Sequence, residues 1–263
     1  MPDGPPVMDD VFESSGLRLA AHVAEPPPTG SASGQPPAVI LCHGFPVRGR
    51  ESHASGKSFP ELADRIAAEM GWLAMAMNYR GCGQSEGDFS LQGWMDDIAA
   101  AVAHVRAMGI TDVWLAGFGT GGSLCLCEGA RNPAVVGVAA LGAPADFADW
   151  AKDPRRLLLH SRQVGVVKDK DFPQALEEWS IQLKEISAVS SISKLADRPV
   201  ILMHGEADDL VPSLDCRVLA DAHGSAELRI ISGAGHELRH DPRTVAILLG
   251  WLSRQQNARV ALG

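Results

Sequence analysis

The stretch Val113-Trp114-Leu115-Ala116-Gly117-Phe118-Gly119-Thr120-Gly121-Gly122 reads as a buried strand, a tight turn and the start of a helix. A strand–turn–helix of the form G-x-S-x-G stands a serine hydroxyl above a sheet, aimed at a carbonyl. Gly117 and Gly121 hold the flanking places, and Gly119 holds the central one, where the hydroxyl would be. The residue at such a turn sits in a strained backbone conformation that costs a non-glycine residue on the order of 1–3 kcal/mol. Glycine relieves that strain. The exchange therefore suits the turn and removes the atom that would form a covalent acyl-enzyme.

The elements that must hold this turn follow from periodicity and punctuation. Val11–Glu13 and Leu17–Ala24, around Ser15-Gly16, form a hairpin pattern, and the Pro-, Gly- and Ser-rich Pro26–Pro37 is a surface connection. Strands and helices then alternate. Ala38–Cys42 is a strand, Phe59–Met70 a helix, Trp72–Asn78 a strand, and Leu91–Met108 a helix with Ile98, Val102 and Val105 on one face. Val113–Gly117 is a strand, Gly121–Ala130 a helix and Val135–Leu141 a strand. After a break come a strand (Pro199–His204), a helix (Leu214–His223), a strand (Glu227–Ile231) and a final helix (Thr244–Arg254). Such alternation predicts an α/β fold, a mostly parallel sheet flanked by helices on both faces. The break, 146–195, is helical and charged and reads as a small inserted helical cap. The expected organisation is a disordered tail over 1–10, a core made of 11–145 and 196–256, and the cap between them.

Composition narrows the partners. The 263 residues fit one large domain, or one with an inserted cap, and a hydrophobic share of 46% supports a real core. A formal net charge of −9, with no Lys/Arg cluster, argues against nucleic acid. The first ten residues carry Pro and Asp, not a basic and then apolar run, so no signal peptide is expected. No apolar run is long enough to span a membrane. The five scattered cysteines (Cys42, Cys82, Cys125, Cys127 and Cys216) read as reduced buried thiols of a cytoplasmic protein. Cys125 and Cys127 lie two apart on a helix and share no face, so no metal site is expected, and no cofactor is implied. The partner that remains is a small-molecule substrate or ligand. The oligomeric state is left open.

From Ala38 to Arg254 the chain resembles the α/β-hydrolase superfamily, especially small bacterial members with a short helical cap. Five local matches in order carry the resemblance: His43-Gly44-Phe45-Pro46, the glycine-rich Tyr79-Arg80-Gly81-Cys82-Gly83-Gln84-Ser85-Glu86-Gly87, the elbow at Gly119, His204-Gly205-Glu206-Ala207-Asp208-Asp209-Leu210-Val211-Pro212, and Gly233-Ala234-Gly235-His236. The resemblance implies an oxyanion hole built from the backbone N–H groups of Phe45 and Thr120. It also implies a catalytic acid at Asp208, with Asp209 the less favoured register, and a catalytic base at His236. The order is Ser…Asp…His with its first member missing.

No residue stands out as a substitute nucleophile. Ser85 resembles an architectural serine of the family, Thr120 is expected to point its side chain elsewhere, Ser123 faces the core, and Cys42 is a small buried thiol. The loop Arg48-Gly49-Arg50-Glu51-Ser52-His53 carries acid, hydroxyl and imidazole together and reads as a solvated loop able to fold over a pocket. Arg155, Arg156 and Arg162 of the cap would bind a carboxylate or phosphate if turned inward. Trp94, Trp114, Trp150 and Trp179 read as packing residues, with Trp150 and Trp179 also placed to line a pocket. Two functions follow as expectations. One is an enzyme that uses an Asp208–His236 dyad without a covalent nucleophile on an activated ester, thioester or lactone, or in a lyase or isomerase step. The other is a non-catalytic protein that binds a small acyl or carbonyl ligand.

Overall fold

The computed structural model describes residues 10–28, 35–46, 58–195 and 197–260. Its strands are β1 (Asp10–Ser14), β2 (Leu17–Ala24), β3 (Ala38–Cys42), β4 (Leu73–Met77), β5 (Val113–Phe118), β6 (Val135–Leu141), β7 (Val200–Gly205) and β8 (Glu227–Ile231). They form one eight-stranded sheet in the order β1-β2-β4-β3-β5-β6-β7-β8. The β1–β2 and β2–β4 pairs are antiparallel, and every later pair is parallel.

Nine α-helices are described: α1 (Phe59–Met70), α2 (Leu91–Ala107), α3 (Thr120–Arg131), α4 (Ala148–Lys152), α5 (Pro154–Gln163), α6 (Leu176–Glu185), α7 (Ala188–Ser191), α8 (Ser213–His223) and α9 (Pro242–Val260). Two 3₁₀ turns, Ile192–Leu195 and Leu238–His240, join them.

The central strands β3 to β6 read as near-continuous apolar runs because both faces are covered. Along β3, Ile40 and Cys42 pack with Ile98, Val102 and Leu124 on one side, while Val39 and Leu41 pack with Ile66, Trp114 and Trp251 on the other. The period-two alternation of the pleat thus separates two cores from one continuous sequence signal. Helix ends follow local chemistry. Pro60 begins α1 where its missing N–H costs nothing, and Gly71 ends it in the left-handed conformation. Ser90 caps α2 by accepting from Gly93 N at 3.0 Å. The glycine-rich loop after β4 is pinned to α2 by Asp97, whose buried carboxylate accepts from the backbone N and guanidinium of Arg80.

Some boundaries differ from the sequence reading. The last helix begins two residues earlier, at Pro242, and runs six beyond Arg254. Pro is tolerated in a first turn, and near the far end Arg259 pairs with Asp112 at 2.7 Å. Helix α3 starts at Thr120 because Gly119 already breaks the strand. Within 146–195, α4, α5 and α6 pack on one another, while α7 and the 3₁₀ turn that follows it pack on α3 and α8. The tail expected over 1–10 lies outside the described residues except for Asp10, which opens β1. No helix among the described residues is long and apolar enough to cross a membrane.

The sheet gathers the motifs. In register, Cys42 lies beside Gly117, Phe118 beside Leu141, and Gly205 beside Ile231. The loops that follow these strands therefore emerge at one carboxyl edge, where open α/β sheets bind ligands.

Candidate functional site

Gly119 joins β5 to α3 with φ +54° and ψ −127°. Its N–H donates to Leu141 O at 2.7 Å, so the turn is tied to the neighbouring strand. This φ is one that an L-residue adopts only under strain. The flanking Gly121 is required by contact: a side chain there would overlap the carbonyl oxygens of His43 and Cys42. Gly121→Ala is expected to lower stability by about 1–3 kcal/mol or more, as an overpacked core does, because the obstructing atoms are backbone. A urea titration of the variant beside the parent measures this, and an unchanged midpoint would contradict the close approach.

His236 stands over the turn. Its ring rests against Gly119 and Gly142, where a Cβ would lie 3.4 Å from Nε2 and 3.6 Å from Nδ1. Its Nδ1 is 2.9 Å from Asp208 Oδ2. Asp208, not Asp209, therefore meets the ring. Since the carboxylate only accepts, Nδ1 carries a proton, and in the neutral ring Nε2 faces Gly119 with its lone pair. Asp208 Oδ1 accepts from Leu210 N and Val211 N, both at 2.9 Å. A second imidazole, His204, brings its Nε2 to 3.2 Å from Asp208 Oδ2 and 2.9 Å from Val211 O. Burial pushes the Asp208 carboxyl up. Hydrogen bonds from His204, His236, Val211 N and Leu210 N outweigh it and hold the group well below the usual carboxylate range.

The turn after β3 approaches from the other side. His43 Nδ1 bonds Gly44 O at 2.8 Å. That oxygen and the Phe45 N–H belong to one planar trans peptide, so fixing the carbonyl fixes the opposed N–H. Among the described residues, neither Phe45 N nor Thr120 N donates to another group. Thr120 also opens α3, whose N-terminal dipole end favours negative charge.

His43 is enclosed, and among the described residues its Nε2 has no partner. Burial lowers its pKa to about 4 against an ordinary 6.5. A histidine with a depressed folded value contributes stability at pH above its unfolded value and loses it as the pH falls toward its folded value. The gap between 6.5 and about 4 corresponds to about 3 kcal/mol, expected to disappear between those two pH values. Asp208 adds a second loss at lower pH, as its unfolded and then its folded carboxyl take up protons. Urea unfolding as a function of pH is expected to show the upper step in the parent. The step is expected to be missing in His43→Asn, which keeps a donor for Gly44 O and does not titrate.

A cavity of about 540 Å³ opens over these groups. Phe45, Thr120 and His236 line it, with Phe147, Trp150 and His160 from the segment after β6 and Leu210 and Asp215 from around β7 and α8. Phe45 and Trp150 meet edge to face at 5.1 Å, and Phe147 and Trp150 lie 5.2 Å apart.

The other residues singled out above fall elsewhere. Arg155, Arg156 and Arg162 do not line this cavity; Arg156 borders an outer groove of the helical segment, and Arg162 donates to Lys170 O and Phe172 O. Trp179 is buried and donates to Phe89 O, whereas Trp150 reaches the cavity. Trp94 and Trp114 are buried in the two cores. Ser85 accepts from Ala20 N and donates to Asn78 O, and Ser123 donates to Pro144 O. All five cysteines are free and buried. The Arg48–His53 loop lies outside the described residues. Among the described residues no group of three or more His, Cys, Asp or Glu side chains is placed to hold a metal ion.

Sequence reasoning does not single out the roles of His204, Phe147, His160 or Asp215. His204 alone leaves a signal, four residues before Asp208 at a strand end.

The sheet order, the elbow and the loops at the carboxyl edge together define an α/β-hydrolase fold. The profile of the alpha/beta hydrolase family matches residues 39–247, and the chain belongs to that family. No curated protein matches it. Among solved structures, Est1E from Butyrivibrio proteoclasticus with ferulic acid bound is 20% identical, with a TM-score of 0.68, over 96% of this chain and 99% of that one. GrgF, an alpha/beta hydrolase from Penicillium sp. sh18, is 19% identical, with a TM-score of 0.67, over 94% and 96%. An alpha-beta serine hydrolase homologue from Coxiella burnetii is 18% identical, with a TM-score of 0.62, over 95% and 98%. At these identities the likeness concerns the fold.

Proposed function

We propose that this protein hydrolyses an activated ester, thioester or lactone of a small carbonyl compound, or carries out a related lyase or isomerase step, without a covalent acyl-enzyme. The observation that carries this reading is His236 Nε2, oriented by Asp208 and facing the place beside Gly119 where a serine side chain would stand. A water in that space gives a proton to Nε2 while its oxygen bonds to the substrate carbonyl carbon. The carbonyl oxygen takes the negative charge and is met by the Phe45 and Thr120 N–H groups. Collapse expels the leaving group, which recovers the proton from His236. In the lyase or isomerase variant the same nitrogen takes a C–H or O–H proton, and the same donors hold an enolate.

A positioned base contributes about 10²–10⁴ in rate, and an oxyanion donor about 3–4 kcal/mol. That suffices for activated acyl groups and falls short for an amide. Turnover of short p-nitrophenyl esters and thioesters by the parent, and its loss in Asp208→Asn, is the expected result. Turnover indifferent to Asp208 would overturn the reading.

One observation favours a second reading, a non-catalytic protein binding a small acyl or carbonyl ligand: Gly119 leaves the elbow without a hydroxyl. Thermal stabilisation by ferulic acid or a short-chain ketone, with no turnover of any ester or thioester, would select it.

A further inference from the structure

We propose that His204 is a positioning residue for Asp208, holding the carboxylate in the rotamer that meets His236. The proposal rests on the dyad reading above, and its structural part is testable without turnover.

His204 Nε2 faces two acceptors, Val211 O at 2.9 Å and Asp208 Oδ2 at 3.2 Å. Neither can donate, so this nitrogen carries the proton. Its shorter contact draws the Val211 carbonyl inward, and the Val211 and Leu210 N–H groups bind Asp208 Oδ1. His204 therefore closes the Asp208–Val211 turn and touches the carboxylate as well. Each carboxylate oxygen then faces two donors: Leu210 N and Val211 N on Oδ1, His236 and His204 on Oδ2. A carboxylate held at all four lone-pair sites has no rotational freedom left.

Space filling does not explain this choice of side chain. The preceding β7 residues Ile201, Leu202 and Met203 are apolar, and both His204 and the Asp208 side chain are fully enclosed. His204 Nδ1 is buried and has no partner among the described residues. A polar ring is thus kept in an apolar strand although one of its nitrogens goes unsatisfied, and its other nitrogen serves only the acid turn. Asp208 is the ionisable side chain that touches both imidazoles. Glu237, Arg239 and His240 follow His236 in the chain, and Asp215 and His160 share its cavity.

The test compares His204→Leu with His204→Gln, whose amide N–H can reach where Nε2 stands. Folding is checked by circular dichroism. The low-field Nδ1 proton of His236 is followed by ¹H NMR, and the Asp208 carboxyl is titrated by ¹³C NMR. In His204→Leu the low-field proton is expected to weaken or vanish, and Asp208 to take up its proton at higher pH than in the parent. Where the parent turns over an ester or thioester, kcat is expected to fall about 10–100-fold with KM little changed, as for a misplaced catalytic group. His204→Gln is expected to restore all three. Parent-like spectra in His204→Leu, or equal impairment in both variants, would overturn the proposal. If His204→Leu does not fold, His204→Asn, whose amide is one bond too short, takes its place against His204→Gln. Turnover indifferent to His236→Ala, with NMR signals that still depend on His204, would overturn the catalytic reading and leave His204 as the residue that positions the acid.

Discussion

Gly119→Ser is expected to give a protein that forms a covalent acyl-enzyme where the parent forms none. The geometry for it is already built. Gly119 keeps the elbow conformation, with φ +54° and ψ −127°. A Cβ there would stand 3.4 Å from His236 Nε2, which leaves a hydroxyl on that carbon within hydrogen-bond reach of the base. Where a triad is complete, loss of its serine costs about 10⁶ in kcat, and the oxyanion hole and binding retain about 10³–10⁴ over water. Adding the hydroxyl is therefore expected to raise turnover of a p-nitrophenyl ester by about 100-fold or more, with a burst equal to one product per protein. The same change places a side chain at positive φ, and an accompanying stability loss of about 1–3 kcal/mol is expected. Intact-protein mass spectrometry after a fluorophosphonate or a slow ester reads the outcome directly. A folded Gly119→Ser variant that takes no label would show that this base and turn do not assemble a nucleophile.

The second large effect is His236→Ala. If Nε2 removes the proton from water or from substrate, the variant is expected to lose about 10²–10⁴ in kcat/KM. The variant is expected to fold. His236 is partly exposed, with 21% of its side chain accessible. Asp208 would keep His204, Leu210 N and Val211 N as donors, so no buried charge is stripped bare. The Phe45 and Thr120 donors would remain and set a residual rate. A variant that folds and turns over at the parental rate would remove the base from the mechanism. A parent that binds ligand and never turns over would place the protein with the non-catalytic reading, and Gly119→Ser would then show whether the scaffold retains acyl chemistry.

Much of the architecture is legible in the amino-acid sequence alone. The α/β alternation follows from apolar runs interleaved with 3.6-period segments, and each signal is local. Gly119 is legible because Gly117 and Gly121 flank it between a strand and a helix, in the third of five motifs that follow in order along the chain. Pattern locates the strands to within a residue or two. Helix ends drift where capping and side-chain pairing decide them, as at Pro242 and at Arg259 beyond Arg254. Asp208 and Asp209 are neighbours of the same type; the family resemblance favours Asp208, and the loop's path, with Leu210 N and Val211 N turned onto Oδ1, brings that carboxylate to His236.

What the sequence by itself determined is the family, a mostly parallel α/β sheet and the glycine at the elbow, because strands and helices are local patterns and the five motifs follow in a fixed order along the chain. The tertiary structure decided what closes around them. The cavity wall joins Phe45 to Phe147, Trp150 and His160. Phe45 lies about a hundred residues from the other three in the chain and meets them because the segment after β6 lies over the carboxyl edge of the sheet. Arg156 points into an outer groove for the same reason, and no periodicity in a helix of this length states which face its packing turns inward. His204 takes its place beside Asp208 because β7 ends at Gly205 and the chain folds back within four residues. That contact is set by three-dimensional closure of a turn, for which hydrophobic pattern carries no information.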